Sequence, residues 1–358
     1  MAGPCHQWWR SRGHPSQRWE DRGIVSGVPP VPSPVEGRDR PFWSVMIPTY
    51  NGARYLGESL GSVLAQDPGA DYMQIQVIDD HSTVGDPEAV VRDLAGGRVS
   101  FYRQPRNVGH IANFNTCLER SVGMVVHVLH DDDTVRLGFY EHLERGLRQH
   151  PEAGAALSRH IYSDSDGHWW SISPLERRTP GILDGWLKKI ASGQRVATPS
   201  MAVRRSTYEA LGGFDPRSGR VGGEDWEMWV RIATRYPVWF EPEPLAVYRA
   251  TRQGSLTGTA DGLALTNDMF RVTQLVESYL FEYLPPDEAR TALRRARKMY
   301  ATWAVEAALQ LAEARKIRRS LGAARLALRE GPTMIMLARL VAAVAWSMWV
   351  SMRRRRAA

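Results

Sequence analysis

The sequence predicts an α/β fold: a mainly parallel central sheet with helices on both faces. Two observations carry that expectation. Short apolar runs alternate with helical stretches from Trp43 to about Leu147, the pattern of strands joined by helical crossovers. Three of the runs end in polar groups, Pro48-Thr49-Tyr50-Asn51, Asp79-Asp80-His81-Ser82 and His130-Asp131-Asp132-Asp133. Ligands in such sheets bind beyond the carboxyl ends of the strands, so these groups are expected to share one polar edge. The composition agrees: 358 residues, 43% hydrophobic and 24% charged, can bury a sizeable core without disulfide staples.

Taken in order, Ser44-Val45-Met46-Ile47 is an apolar run closed by Pro48, which predicts a buried strand. Asn51 is placed to cap the next segment, where Tyr55, Leu56, Ser59, Leu60, Val63 and Leu64 recur at helical spacing. Ile75-Gln76-Val77-Ile78 predicts a second strand, residues 87–95 a helix, 99–102 a third strand, 111–122 a helix and 124–129 a fourth strand. After about Pro174 the pattern is less regular. A strand is expected over 199–203, a short helix over 206–211 stopped by Gly212-Gly213, and a helix over 224–235 after Gly222-Gly223. Beyond Thr266 the pattern is almost wholly helical.

Three adjacent carboxylates repel one another unless a cation or solvent neutralises them. Hard divalent ions take oxygen ligands, and Mg2+ typically uses one or two carboxylates with substrate phosphates. Asp131, Asp132 and Asp133 therefore read either as a metal site or as a solvated loop capping the next helix. Glu224 and Asp225 read either as a general base in a cleft or as acidic residues favoured in a first helical turn. Asp79-Asp80 also fits a simple turn. His127 and His130 invite a zinc site, but side chains alternate along a strand, so the two should face opposite sides.

The order and spacing of these motifs say more than each alone. Ser44-Val-Met-Ile-Pro-Thr-Tyr-Asn51, Val77-Ile-Asp-Asp-His-Ser-Thr83, Arg106-Asn-Val-Gly109, Leu129-His-Asp-Asp-Asp133, Gly212-Gly-Phe-Asp215 and Gly223-Glu-Asp-Trp226 form a series. It resembles the family 2 glycosyltransferases of the GT-A fold over residues 42–255. The resemblance implies an inverting transfer of a sugar from a nucleotide-diphosphate donor to a hydroxyl of a glycan or lipid-linked acceptor, in cell-surface polysaccharide synthesis. It implies nucleotide-sugar contacts from Pro48, Thr49, Tyr50, Asn51, Asp79, Asp80, Asn107 and Asp131, with Asp80 on the base. It implies Mg2+ or Mn2+ at the acidic run, with Asp132 as ligand and Asp131 and Asp133 as its neighbours. It implies a general base at Asp225, with Glu224 as the fallback. The run His-Asp-Asp-Asp leaves the metal register open, and His81 stands where Gly or Asn is more usual. Arg249 and Arg252 are further candidates for the diphosphate. Acceptor pockets are expected in residues 158–194, where Trp169, Trp170 and Trp186 either stack on a sugar or fill the core. A sugar-nucleotide-binding partner that has lost catalysis is the competing reading. A nucleotidyltransferase is disfavoured by the lack of a Gly-rich, Lys-containing loop near the first strand.

The ends differ from the body. Residues 1–41 are rich in Pro, Gly, Ser, Arg and Trp and carry no apolar signal core, so a disordered lead-in, or a start further downstream, is expected. Residues 42–260 form the expected catalytic domain and 261–358 a helical C-terminal region. Residues 285–358 hold 16 Lys and Arg against 5 Asp and Glu, more than the whole chain's excess of +7, so the body is net acidic. That disfavours nucleic acid as a partner. The apolar stretch 334–352, followed by four arginines, suggests a helix on the inner membrane face or one packed on protein. The two cysteines, Cys5 and Cys117, suit a reducing, cytoplasmic compartment. The oligomeric state is not legible.

Overall fold

The computed structural model describes residues 29–35, 39–251 and 262–330. Its first half is the expected alternation. Strands β1 (Trp43–Thr49), β2 (Met73–Asp79), β3 (Ser100–Arg103) and β4 (Val125–Val128) are joined by helices α1 (Ala53–Leu64), α2 (Pro87–Ala95) and α3 (His110–Arg120). These four strands pair in parallel, in the order β3-β2-β1-β4. Pro48 sits in the central strand without breaking it. Alternation turns its nitrogen toward β4, whose pairing with β1 ends at Met46 and Val128, so no ladder donor is missing there. Helix α2 has the bounds its residues predict: the Asp86 side chain caps Ala89 N–H, Pro87 opens the helix and left-handed Gly96 closes it.

The second half completes a ten-stranded mixed sheet. In chain order come β5 (Thr134–Val135), α4 (Phe139–Gln149), β6 (Ala155–Asp164), β7 (Trp169–Ile172), β8 (Gly181–Ile182), α5 (Trp186–Ile190), β9 (Met201–Arg204), α6 (Arg205–Leu211), α7 (Glu224–Ala233) and β10 (Val238–Thr251). Strand β9 enters antiparallel between β4 and β6, and β10 runs parallel to β6. The register of β10 slips around Pro244, where a residue without an N–H cannot serve a regular ladder. Helices α8 (Gly262–Leu280), α9 (Pro286–Glu313) and α10 (Ile317–Glu330) follow.

Strand alternation sorts the core into two layers. Trp43, Val45 and Ile47 pack with Leu56, Leu60 and Leu143 of α1 and α4. Met46, from the opposite face, joins Phe114, Trp226, Val272 and Tyr300. The C-terminal helices α8 and α9 therefore share one core with α3 and α7.

The lead-in needs a correction. Residues 29–35 lie along the body: Gly213 N–H donates to Pro30 O at 2.7 Å, and Ser33 N–H to a Glu119 carboxylate oxygen at 2.9 Å. A proline-rich chain loses little entropy on docking, and its free carbonyls accept bonds readily. The rest of residues 1–28, with Cys5, lies outside the described residues. So do residues 331–358, which hold the proposed membrane helix. Among the described residues no helix is long and apolar enough to cross a membrane. Cys117 is buried and free.

Candidate active site

The acidic run emerges where β4 ends, as its position at a strand end predicts. Asp131 and Asp133 are buried, and Asp132 is partly exposed. Asp133 Oδ1 accepts the Arg249 backbone N–H at 2.9 Å, while its buried Oδ2 receives no hydrogen bond. Burial, then the charges of Asp132 and Asp131, hold the Asp133 carboxyl well above the usual carboxylate range. His130 Nδ1 stands 3.6 Å from that oxygen. His130, Asp132 and Asp133 bring ligand-capable atoms within 4.8 Å of one another. Asp131, expected beside them, does not join this group. Thr49 Oγ1 donates to its Oδ2 at 2.5 Å, which ties the end of β1 to the run. Gly52 is required for that packing: a Cβ there would fall 1.6 Å from Asp131 Oδ2.

These residues fit a divalent cation. A buried carboxylate oxygen without a donor, next to a second carboxylate and an imidazole, is what a cation would satisfy. Carboxylates suit both Mg2+ and Mn2+, whereas an imidazole ligand leans toward the transition ion. His127 is elsewhere, as alternation predicts. It is buried between Tyr140 Oη at 3.2 Å and Pro199 O at 3.0 Å, and burial lowers its pKa to about 4.

Glu224 and Asp225 open α7, and left-handed Gly223 precedes them with φ +96°. A side chain at Gly223 would meet Val272 at 2.9 Å, so the turn needs glycine for both conformation and space. The two carboxyls have opposite environments. Burial disfavours ionised Glu224, but His110, 3.5 Å away, outweighs it and lowers the Glu224 pKa. Burial likewise opposes charge on His110, yet Glu224 raises its pKa. Asp225 shifts the other way. Burial, then the neighbouring Glu224 charge, pushes it up to about 7. Its Oδ2 accepts from Gln194 Nε2 at 2.7 Å and Thr198 Oγ1 at 3.3 Å, and its Oδ1 from Trp226 N–H at 2.7 Å. A carboxylate oxygen has two acceptor positions, so Oδ1 keeps one open.

Helix α3 connects the two acidic groups. His110 and Phe114 share one face, four residues apart. The Phe114 ring lies 5.8 Å from His110 and stacks on His130 at 5.1 Å and 18°. The path Glu224, His110, Phe114, His130, Asp133 is continuous.

The third polar strand end forms a scaffold. Asp79 accepts from Ser82 N–H at 3.0 Å and pairs with Arg103 at 2.7 Å. Asp80 accepts Val108 N–H at 2.7 Å and Gly109 N–H at 3.0 Å, and Asn107 Nδ2 donates to Asp80 O at 3.1 Å. Asn51 does not cap α1, whose N-cap is Gly52. Its Oδ1 instead accepts Thr83 N–H at 2.8 Å and Val84 N–H at 2.9 Å, because left-handed backbone at Asn51 turns the side chain toward the neighbouring loop. His81 also has positive φ, 61°, which explains why Gly or Asn is the commoner choice. Its Nδ1 bonds Gln104 O at 3.0 Å. Pro48 is buried and Tyr50 is 46% exposed at the same edge.

Of the diphosphate candidates, Arg249 is committed to protein. Its guanidinium reaches Asp132 O at 3.1 Å, Ser165 O at 2.8 Å and Glu58 at 2.5 Å. Arg252 lies outside the described residues. Trp186 is core, whereas Trp169 and Trp170 are 59% and 60% exposed on β7. The sequence reading missed His110, Gln194 and Thr198. His130 was in view, but only as a zinc partner for His127.

Residues 44–212 match the family model described as Glycosyl transferase family 2. An N-acetylglucosaminyltransferase of Rhizobium meliloti is 30% identical over 151 residues, 40% of this chain but 34% of that protein's own length. The fold is similar to S. aureus TarS, solved with UDP-GlcNAc, at TM-score 0.52 and 15% identity over 78% of this chain and 89% of that one. It is similar to a mannosyltransferase of Pyrobaculum calidifontis, solved with GDP-Man and Mn2+, at TM-score 0.54 and 19% identity over 97% and 94%. The match to the family 2 model thus spans residues 44–212, and the fold is that of the GT-A glycosyltransferases.

Proposed function

We propose that this chain is an inverting, metal-dependent glycosyltransferase that moves a sugar from a nucleoside-diphosphate donor to a hydroxyl of a glycan or lipid-linked acceptor. The observation that carries the proposal is the split environment of the Glu224 and Asp225 pair. Glu224 is held ionised by His110, and Asp225 is left with a pKa of about 7 and an open position on Oδ1. A carboxylate poised near neutrality is suited to general base catalysis.

Asp225 Oδ1 takes the proton from the acceptor hydroxyl as that oxygen attacks the anomeric carbon. A single displacement with one base inverts that centre. Ionised Glu224 raises the basicity of Asp225, and His110 keeps the charge on Glu224 from becoming prohibitive. Thr49, Tyr50, Asp80 and the loop at Asn107 form the wall against which a nucleoside rests, with the Asp80 carboxylate available to a base N–H beyond its two backbone donors. His130, Asp132 and Asp133 would hold Mn2+ or Mg2+. When bound, the ion supplies positive charge for a diphosphate leaving group.

UDP-GlcNAc is the first donor to test, because N-acetylglucosaminyltransferases are among the relatives. Purified protein with Mn2+ is screened for hydrolysis of UDP-, GDP- and dTDP-sugars, beside Asp132→Ala and Asp225→Asn. Turnover by wild type and its loss in both variants is the expected result. Donor binding without turnover would instead favour a catalytically inactive sugar-nucleotide-binding partner. The cytoplasmic, membrane-peripheral setting and a role in cell-surface polysaccharide synthesis belong to the same proposal. Loss of liposome co-sedimentation on deleting residues 333–358 is its expected signature.

A further inference from the structure

Asp225 lies on the first turn of α7, but the side chains that bond its carboxylate come from elsewhere. Gln194 Nε2 donates to Oδ2 at 2.7 Å. Gln194 belongs to residues 191–197, between α5 and the short 3-10 turn Thr198–Ser200, where no regular element holds the backbone. The segment is seated from the C-terminal half. Gln194 N–H donates to Tyr300 Oη, on α9, at 2.9 Å. Tyr300 is fully buried, and its ring meets that of Trp226 edge-on at 5.2 Å and 68°. The Trp226 indole N–H donates to Ile190 O at 2.7 Å, at the end of α5. The contacts close a ring: α9 holds Gln194, Gln194 holds Asp225, and the next residue of α7 holds the start of the Gln194 segment.

We infer that Gln194 is a positioning residue for Asp225, and that helix α9 belongs to the site because Tyr300 seats Gln194. The inference rests on Asp225 serving as the base. A base must be held within a few tenths of an ångström of its working position, and that requires its partners to be locked in turn. The charged groups around Asp225 are Glu224 beside it, His110 from α3 and Asp268 from α8, whose field reaches His110; the Tyr300 phenol faces it from α9. Gln194 and Thr198 are the uncharged side-chain donors. Hydrogen bonds to a carboxylate favour its charged form, so loss of the Gln194 amide raises the midpoint at which Asp225 ionises.

The test uses the full chain with Gln194→Ala, Tyr300→Phe and Asp225→Asn. Carboxyl carbon NMR on protein labelled at aspartate follows the Asp225 titration, its signal identified by loss in Asp225→Asn. In parallel, the pH dependence of UDP-GlcNAc hydrolysis with Mn2+ is measured. Gln194→Ala is expected to raise the midpoint by roughly one pH unit. It should lower kcat about tenfold at pH 6.5, with KM changed far less. Tyr300→Phe keeps the ring against Trp226 but leaves the Gln194 N–H without its acceptor, so it should act in the same direction with a smaller effect and a modest fall in melting temperature. An unmoved Asp225 midpoint in a folded Gln194→Ala protein overturns the inference, and the NMR arm decides this whichever donor proves to be the substrate. If Asp225→Asn retains full turnover, the base assignment fails. If Asp225→Asn is inactive while Gln194→Ala behaves as wild type, only the positioning role fails.

Discussion

The acidic run and the Asp225 shelf are built in different ways. The run sits at the end of β4, and most of what shapes it is nearby in sequence or on an adjacent strand: His130, Asp132 and Asp133 in one turn, Thr49 from β1 and Arg249 from β10. The shelf is assembled from segments far apart in the chain. His110 comes from α3, Gln194 and Thr198 from an irregular loop, and Tyr300 from α9. The run concentrates like charge that a cation can relieve. The shelf separates two adjacent carboxyls electrically, one lowered in pKa and one raised. A ligand can complete the first, whereas only the rest of the protein can complete the second.

The largest test of that difference is removal of the cation. Chelation, or Asp132→Ala, is expected to reduce turnover by on the order of a thousandfold. Added Mn2+ should rescue the chelated wild type better than Mg2+ does if His130, which stands with Asp132 and Asp133, is a ligand. Equal rescue by both ions would remove His130 from the site. Asp225→Asn comes next, with a loss of about 10²–10⁴ in kcat that no added ion restores. Rescue by Mn2+ would mean that the shelf depends on the run after all.

The pH dependence follows from the same carboxyl. Asp225 must be ionised to accept a proton, so kcat/KM should fall about tenfold per unit below pH about 7. A profile flat down to pH 5 would assign the base elsewhere. Stability carries the opposite sign. A carboxyl whose folded pKa is raised from 3.8 to about 7 contributes stability below its unfolded value, and that contribution is lost as pH rises through the folded one. Asp225→Asn should therefore raise the melting temperature at pH 8 more than at pH 4. The smallest expected effect lies at the run. Gly52→Ala forces a Cβ into the space of Asp131 Oδ2 and should cost about 1–3 kcal/mol of stability, read by denaturant unfolding. An unchanged midpoint would show that Asp131 moves freely.

Legibility divided along the same line. The strands β1 to β4 and helix α2 could be read because apolar runs, caps and glycine stops mark them locally. Strand β6 escaped notice because it is largely buried on both faces and Ser158, Arg159 and His160 interrupt its apolar residues, so no alternation marks it. A strand ending at Tyr248 is expected from the sequence and β10 runs through it to Thr251, but the prolines at 242 and 244, which fit only through register slips, mask how far back it begins. Asn51 read as a helix cap because caps are local, and its true partners lie 32 and 33 residues away.

By itself the sequence determined the order of the first strands, the edge on which they end and the chemical character of the groups placed there. Those properties depend on side-chain periodicity and residue type, which neighbours along the chain suffice to specify. Only the tertiary structure decided that His130, not Asp131, joins Asp132 and Asp133, that His110 pairs with Glu224, and that Tyr300 reaches Asp225 through Gln194. Burial and charge pairing are set by what packs against a residue. For this site those neighbours come from helices up to about a hundred residues away in sequence, whose positions no local pattern encodes.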